Sequence, residues 1–294
     1  MKQLEGKTAV ITGANQGLGK VCARAYLDAG ASLVICARNE ELLKATYDEF
    51  SHHLSSAPQR SDTQRLNWLP IDVSRVDEVE KLVDFALDKN ARIDILVNNA
   101  GVYGPKGCIE DVDWEEWTRS IEINLYGPIL MCRALLPHFK ANKAGKIINM
   151  SGGGATAPLP RLSAYAAAKA ALVRLTETMA HETLGLGIDV NAIAPGALNT
   201  RLLDEIIAAG PNRVGKEFYE RSLKQKEDGG ASMLKAAELC VYLAADESDG
   251  ITGKLISAVW DPWKDLARHL NKLKSSEIYT LRRIVPADRG EDWG

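Results

Sequence analysis

Thr8-Ala-Val-Ile-Thr12-Gly-Ala-Asn-Gln-Gly-Leu-Gly19 is the stretch on which the reading of this chain turns. Thr8–Thr12 is short, apolar and β-branched, the composition of a buried strand. Gly13, Gly17 and Gly19 follow, and a helical pattern then runs through Val21, Ala25 and Leu27 to Gly30. Strand, glycine-rich turn and helix in that order form a phosphate cradle. Glycine lets backbone N–H groups approach a pyrophosphate lying at the positive end of the helix. A plain tight turn is the competing reading, and the strand before and helix after favour the dinucleotide.

Working outward, Ser32–Ala37 reads as a second strand, with a helix over Glu40–Leu54. A carboxylate at the end of this strand would accept hydrogen bonds from a ribose 2′-OH. Ala37 stands there with Arg38 next to it, and a guanidinium suits a 2′-phosphate, so NADP(H) is expected over NAD(H). His52–Thr63 reads as a polar surface loop. Leu66–Ile71 is a third strand ending in Asp72-Val73, where Asp72 either holds an adenine amino group or caps a turn. Ser74 and Asp77 resemble a capping box for the amphipathic helix that carries Val76, Val79, Leu82, Val83, Ala86 and Leu87. Ile93–Val97 is a fourth strand, closed by Asn98-Asn99-Ala100-Gly101. The alternation predicts an α/β fold with a doubly wound parallel sheet of about seven strands and helices on both faces.

In the second half, Asp113 caps a helix through Trp114, Trp117, Ile121 and Leu125. Asn124 sits inside that pattern, an unfavourable place for a short amide unless it has a further role; an amide on a solvated face is the alternative. Gly127-Pro128 predicts a kink. Lys146–Met150 is a fifth strand that delivers Ser151 to the carboxyl edge of the sheet, where ligands bind in such folds. Tyr165 and Lys169, four residues apart, share a helix face, and an ammonium beside a phenol favours phenolate. Ile188–Ala194 and Lys254–Val259 read as the last strands, with a helix over Met233–Leu243. Leu198–Ser232 reads as irregular or weakly helical, of a length that suits a mobile cover over a substrate.

Composition narrows the class. The 294 residues are 46% hydrophobic and 26% charged with a net charge of -3, which supplies no electrostatic case for nucleic acid or an acidic membrane surface. Cys22, Cys36, Cys108, Cys132 and Cys240 have no ligand spacing, so free thiols in a reducing compartment and no metal are expected. With no apolar run of membrane length and a strand pattern starting near residue 8, a cytoplasmic location is expected.

Over residues 6 to 259 the chain resembles the short-chain dehydrogenases/reductases. The resemblance rests on Thr12–Gly19, Asn98–Gly101, Asn124, the pair Tyr165 and Lys169, and Pro195-Gly196, all in the family's order. It implies a Rossmann-type fold and a small-molecule carbonyl or alcohol substrate. Tyr165 would be the acid/base and Lys169 would lower its pKa and bind the nicotinamide ribose, while Asn124 would hold a relay water. Around the turn, Gly13, Asn15, Gln16, Gly17, Leu18 and Gly19 would hold the pyrophosphate. Asn99, Ala100 and Gly101 would line the adenosine side, and Pro195, Gly196 and Thr200 would border the nicotinamide. A homodimer or homotetramer is expected, paired through the Tyr165 and Asn124 helices.

Three departures stand out. Thirteen residues before the tyrosine, where the family carries a serine, this chain has Gly152, and Ser151 stands one place earlier. Either Ser151 reaches in through the flexible Gly152–Gly154, or backbone N–H groups there replace the hydroxyl. The last strand runs into Ser257-Ala-Val-Trp-Asp-Pro-Trp263 where the family has Gly-Gly. Residues 264–294 extend beyond a single 1–263 catalytic and dinucleotide-binding domain, with Ile278, Tyr279, Leu281, Ile284 and Val285 able to pack them as a cover over the substrate mouth. Gly152 also leaves a second class open, a dinucleotide-binding sensor or structural subunit with little catalysis.

Overall fold

The computed structural model describes residues 2–56 and 63–293. Its centre is one parallel sheet of seven strands in the order β3-β2-β1-β4-β5-β6-β7. The strands are β1 Thr8–Thr12, β2 Ser32–Ala37, β3 Leu66–Pro70, β4 Ile95–Asn98, β5 Gly145–Met150, β6 Ile188–Ala194 and β7 Leu255–Ser257. Their near-continuous apolar sequence is what a parallel sheet covered on both faces demands. Alternate side chains serve the two faces. Ala9, Ile11, Ile95, Val97 and Ile148 join one core with α1 (Gly17–Asp28) and α9 (Met233–Ala244). Val10, Leu96 and Ile147 join the other, against α3 (Val76–Lys89), α5 (Gly127–Asn142) and α6 (Ser163–Glu182). The chain moves outward through β1, β2 and β3, then restarts beyond β1 at β4. That reversal opens a crevice at the carboxyl ends of the strands.

Several expectations change. Helix α2 (Glu40–Ser56) extends past Leu54, so His52 and His53 are helical, and His53 Nε2 lies 2.6 Å from Asp28 Oδ1. The middle of the expected loop, 57–62, lies outside the described residues. Helix α3 has Arg75 at its N-cap with no side-chain cap, because Ser74 turns instead to Asp72. Asp113 does cap α4 (Trp114–Ile121), accepting from the Glu116 N–H at 2.8 Å. Between α4 and α5 lies a π turn, Glu122–Tyr126, with Asn124 at its centre. Such bulges are rare and occur often at functional sites.

The segment read as irregular forms two helices, α7 (Arg201–Val214) and α8 (Lys216–Asp228). Gly210 at φ 75° with Pro211 breaks the regularity of α7, which hides its period in the sequence. Leu203 and Ile206 give α7 a buried stripe, and Ser222 is the buried residue of α8.

Among the described residues none beyond 263 lines the crevice, the last to do so being Asp261, so the expected cover over the substrate mouth is not seen. Leu266 and Leu273 join the core that holds α9, and the stretch around residues 279–281 reaches the free edge of the sheet. The Leu255 N–H of β7 donates to the Tyr279 carbonyl at 2.8 Å, and Leu281 packs with Ala155, Val173 and Ala192. Glu177 accepts the Leu281 N–H at 2.6 Å, and Arg174 donates to the Leu281 carbonyl. An unpaired edge strand is a template for aggregation, and the tail supplies its partner.

Candidate active site

The crevice is a cavity of about 1180 Å³ lined by residues at the ends of all seven strands. That exceeds the roughly 300–1,000 Å³ usual for a single small ligand. Among the residues expected at the site, all but Asn124 line it.

At one end the wall is mostly backbone. Gly13 has φ 64°, and a Cβ there would lie 2.8 Å from Ala100 Cα. A Cβ on Gly19 would lie 2.2 Å from the Gly13 carbonyl oxygen. Only glycine fits at either place, so the turn lies flat against the end of β4. Helix α1 begins at Gly17 with no side-chain cap and no acidic residue in its first turn, leaving its N-terminal N–H groups for an anion. Asn99 stitches the turn: its amide donates to the carbonyls of Thr12 (3.0 Å) and Gly13 (3.1 Å). Thr12 Oγ1 accepts from the Asn99 and Ala100 N–H groups. Asn99 therefore faces the protein as much as the cavity.

At the tips of β2 and β3 the side chains carry charge. Arg38 is exposed and forms no hydrogen bond or ion pair with a described residue. Asp72 is ion-paired with Arg119 of α4 and accepts from Ser74 Oγ at 2.7 Å. Burial alone would raise the Asp72 pKa, but the Ser74 hydrogen bonds and the charges of Arg119 and Arg38 outweigh it and hold the carboxyl below its ordinary value. Nothing in the sequence signalled Arg119; helix α4 carries it across to the end of β3.

The other end is made of side chains. Helix α6 carries Tyr165 and Lys169, both buried. Lys169 Nζ donates to the Met150 carbonyl at 2.8 Å and lies 5.5 Å from the centre of the Tyr165 ring. Behind Gly101, Asn124 is fully buried: its amide donates to the carbonyls of Val102 (2.7 Å) and Ser120 (2.9 Å), and its oxygen accepts the Val102 N–H. A Cβ on Gly101 would lie 2.8 Å from Asn124 Oδ1 and 3.8 Å from Lys169 Nζ, so both groups close on the backbone of this glycine.

Electrostatics at this end differ from the expectation of a phenol with a lowered pKa. Burial, with the Tyr103 phenol nearby, pushes the Tyr165 hydroxyl well above its ordinary value. Burial pushes Lys169 down to about 8. The ammonium sits on a carbonyl and beside the ring, and desolvation of both groups dominates their attraction.

Gly152 is the other departure. A Cβ at this position would lie 2.2 Å from the Tyr165 hydroxyl oxygen, so the phenol fills the space a serine side chain would need. Ser151 lines the cavity, and its buried Oγ has no hydrogen-bond partner among the described residues. Tyr103 packs edge-to-face on Tyr165 with ring centres 4.8 Å apart. Helices α7 and α8 bring Leu203, Ile206 and Phe218 over the same space, residues that the irregular reading of this segment missed.

The comparisons with known proteins agree with this geometry. Residues 7–209 match the family profile described as short chain dehydrogenase. The chain is 34% identical over 260 residues to the uncharacterized oxidoreductase YxbG of Bacillus subtilis, covering 88% of this chain and 91% of the relative. It is also 34% identical over 258 residues to dehydrogenase/reductase SDR family member 6 of Rattus norvegicus, covering 86% and 96%. A short chain dehydrogenase of Mycobacterium smegmatis with a solved structure superposes with a TM-score of 0.70 at 27% identity, covering 88% of this chain and 93% of that one. The enzyme reading therefore displaces the sensor, and no helix among the described residues is long and apolar enough to cross a membrane. The chain belongs to the short-chain dehydrogenase/reductase family and is an NAD(P)-dependent oxidoreductase.

Proposed function

We propose that this enzyme uses NADP(H) to interconvert a carbonyl and a secondary alcohol, with Tyr165 exchanging the proton at the substrate oxygen. The observation that carries the reading is that Tyr165 and Lys169 lie in the same cavity as the glycine cradle of Gly13, Gly17 and Gly19. The cradle suits a dinucleotide because a Cβ at Gly13 or Gly19 would collide with backbone. The backbone of Gly13–Gly19 and the start of α1 would hold the pyrophosphate, and Arg38 the 2′-phosphate. Asp72 and Val73 would border the adenine, with Asn99, Ala100 and Gly101 beside the adenosine. Pro195, Gly196 and Thr200 would flank the nicotinamide, and Lys169 its ribose. The nicotinamide supplies or accepts the hydride when bound.

The protein's part is the proton. A phenol held neutral by burial donates to a carbonyl oxygen as negative charge develops there, so the resting site suits carbonyl reduction. In the reverse direction the phenol must release its proton first, and Lys169 is the nearby cation that stabilises the phenolate. Asn124, which closes with Lys169 on the backbone of Gly101, is the position for a relay water. Ser151 is the serine hydroxyl available at the strand end, with Gly152 unable to take a side chain beside the present phenol position.

The same proposal takes residues 1–263 as one catalytic and dinucleotide-binding unit, with 264–294 as a cover for the sheet edge. It places the enzyme in the cytoplasm as a homodimer or homotetramer, consistent with the free cysteines and with Trp114 and Tyr126 exposed around the Asn124 turn. The direct test is Tyr165→Phe. Turnover with NADP(H) should fall roughly 10²–10⁴-fold, the range for removing a general acid, while cofactor binding measured by fluorescence titration persists. Turnover unchanged in the variant rules out Tyr165 as the acid/base.

A further inference from the structure

The wall around Tyr165 carries information about the substrate. Five charged side chains line the cavity: Arg38, Asp72, Lys169, Arg201 and Asp261. Arg38 and Asp72 stand at the far end, at the tips of β2 and β3. Lys169 donates to the Met150 carbonyl. Arg201 is ion-paired with Glu205, which also receives Lys106 at 3.1 Å. Asp261 accepts the Ser257 N–H at 2.6 Å. Arg201 and Asp261 are thus paired within the protein, and the charge beside the tyrosine is that of Lys169, which the proposed reading gives to the nicotinamide ribose.

The surfaces nearest Tyr165 are apolar. Leu159, Ile206 and Phe218 pack in one cluster with Tyr103 and the Tyr165 ring itself, and Leu203 lines the same cavity. The polar groups of α8 are turned inward: Ser222 Oγ donates to the Phe218 carbonyl at 2.8 Å, and the Gln225 amide donates to Asn199 Oδ1 at 3.3 Å. The polar groups at this end, the Ser151 Oγ, unpartnered among the described residues, and the Tyr165 hydroxyl, suit a single carbonyl or alcohol oxygen, whereas a carboxylate or phosphate set against Leu203, Ile206 and Phe218 would lose its hydration, which is costly. An apolar body would exchange water for Phe218, Leu203 and Ile206, which is favourable.

We infer that the substrate is an uncharged ketone or secondary alcohol with an apolar body of ring size, its oxygen at Tyr165 and its body against Phe218 and Ile206. This rests on the proposed oxidoreductase reading and adds the substrate class. Keto acids and phosphorylated sugars should be poorer substrates at the same wall.

The test uses the full chain with NADPH and three carbonyl compounds: butanone, propiophenone and phenylpyruvate. Propiophenone and phenylpyruvate are similar in size and differ in the carboxylate. Steady-state kcat/KM for propiophenone should exceed that for phenylpyruvate and for butanone by roughly tenfold or more, the scale of discrimination available to an apolar pocket. Phe218→Ala should collapse the preference of propiophenone over butanone, and Phe218→Leu should reduce it partly. Binding to the NADP(H)-loaded protein is measured in parallel by tryptophan fluorescence. Tighter binding of propiophenone than phenylpyruvate without turnover supports the substrate class and overturns the catalytic proposal. A preference for phenylpyruvate in either readout, or no binding of any of the three, overturns the inference.

Discussion

At the dinucleotide end of the cavity the wall is backbone: Gly13 against Ala100, Gly19 against the Gly13 carbonyl, and the uncapped start of α1. At the tyrosine end it is side chains from α6, α7, α8 and two loops, with the backbone of Gly152 against the Tyr165 hydroxyl. Backbone walls tolerate almost no change, because an added methyl has nowhere to go. Side-chain walls can be rebuilt while the fold stays constant. The two ends should therefore fail in different ways when perturbed.

The largest effect on cofactor binding is expected at the backbone end. Gly19→Ala puts a methyl 2.2 Å from the Gly13 carbonyl oxygen and 2.3 Å from Asn99 Nδ2. Strain of about 3 kcal/mol, the upper end for overpacking a filled place, would weaken dinucleotide binding roughly hundredfold if it fell wholly on the bound turn. Fluorescence titration of NADP(H) beside thermal unfolding measures how the loss divides. Unchanged affinity and stability would break the contrast between the two ends.

Gly152→Ser sharpens it at the other end. If the missing hydroxyl were the defect, adding it would restore an oxyanion-type donor and raise kcat by on the order of a hundredfold. The structure points the other way: the serine Cβ meets the Tyr165 hydroxyl, so kcat should fall roughly tenfold, about 1.4 kcal/mol of barrier from a displaced acid, with cofactor affinity preserved. A rise in kcat would show that the phenol retreats freely.

Arg38→Asp tests the proposed recognition of the 2′-phosphate by a side chain. Hydrogen bonds to a charged group contribute about 1.5–3 kcal/mol, so the NADP(H)/NAD(H) ratio of kcat/KM should drop roughly ten- to hundredfold. A constant ratio removes Arg38 from recognition.

The smallest effect is in stability against pH. Burial pushes the Lys169 ammonium in the fold down to about 8, from an ordinary value of 10.5. Between those values the unfolded chain binds more protons, so this group's contribution makes stability rise with pH; below about 8 the cost of the buried ammonium is present in full. Tyr165, raised in the fold, acts oppositely above its ordinary value of 10.0. Lys169→Met should hold a stability advantage over wild type near neutral pH that shrinks toward pH ~10. Midpoints of thermal unfolding across that range measure it, and a constant difference would show that Lys169 is not titrating as a buried group.

What could be read in advance follows the same division. The order of strands and helices, the glycine cradle and the Tyr165 and Lys169 pair were legible because each is local: alternating apolar strands, glycines where a turn meets another backbone, and four-residue spacing on a helix. Helices α7 and α8 were not, since Gly210 and Pro211 interrupt the period that would reveal them. Ser74 was misread as a cap because its partner, Asp72, belongs to an Arg119 network 47 residues long that has no trace in local sequence. Residues beyond 263 were read as a cover for the substrate, yet the free edge of β7 was the nearer unpaired surface.

By itself, the amino-acid sequence determined the doubly wound sheet, the family and the glycine turn at the end of β1, because those depend on backbone conformation and on periodicity within a few residues. The tertiary structure alone decided that Tyr165 is buried in the space left by Gly152, that Leu203, Ile206 and Phe218 of α7 and α8 line the same cavity, and that residues 279–281 lie at the sheet edge. Those outcomes depend on which surfaces, distant in the chain, exclude water from one another, and desolvation is a property of the packed molecule.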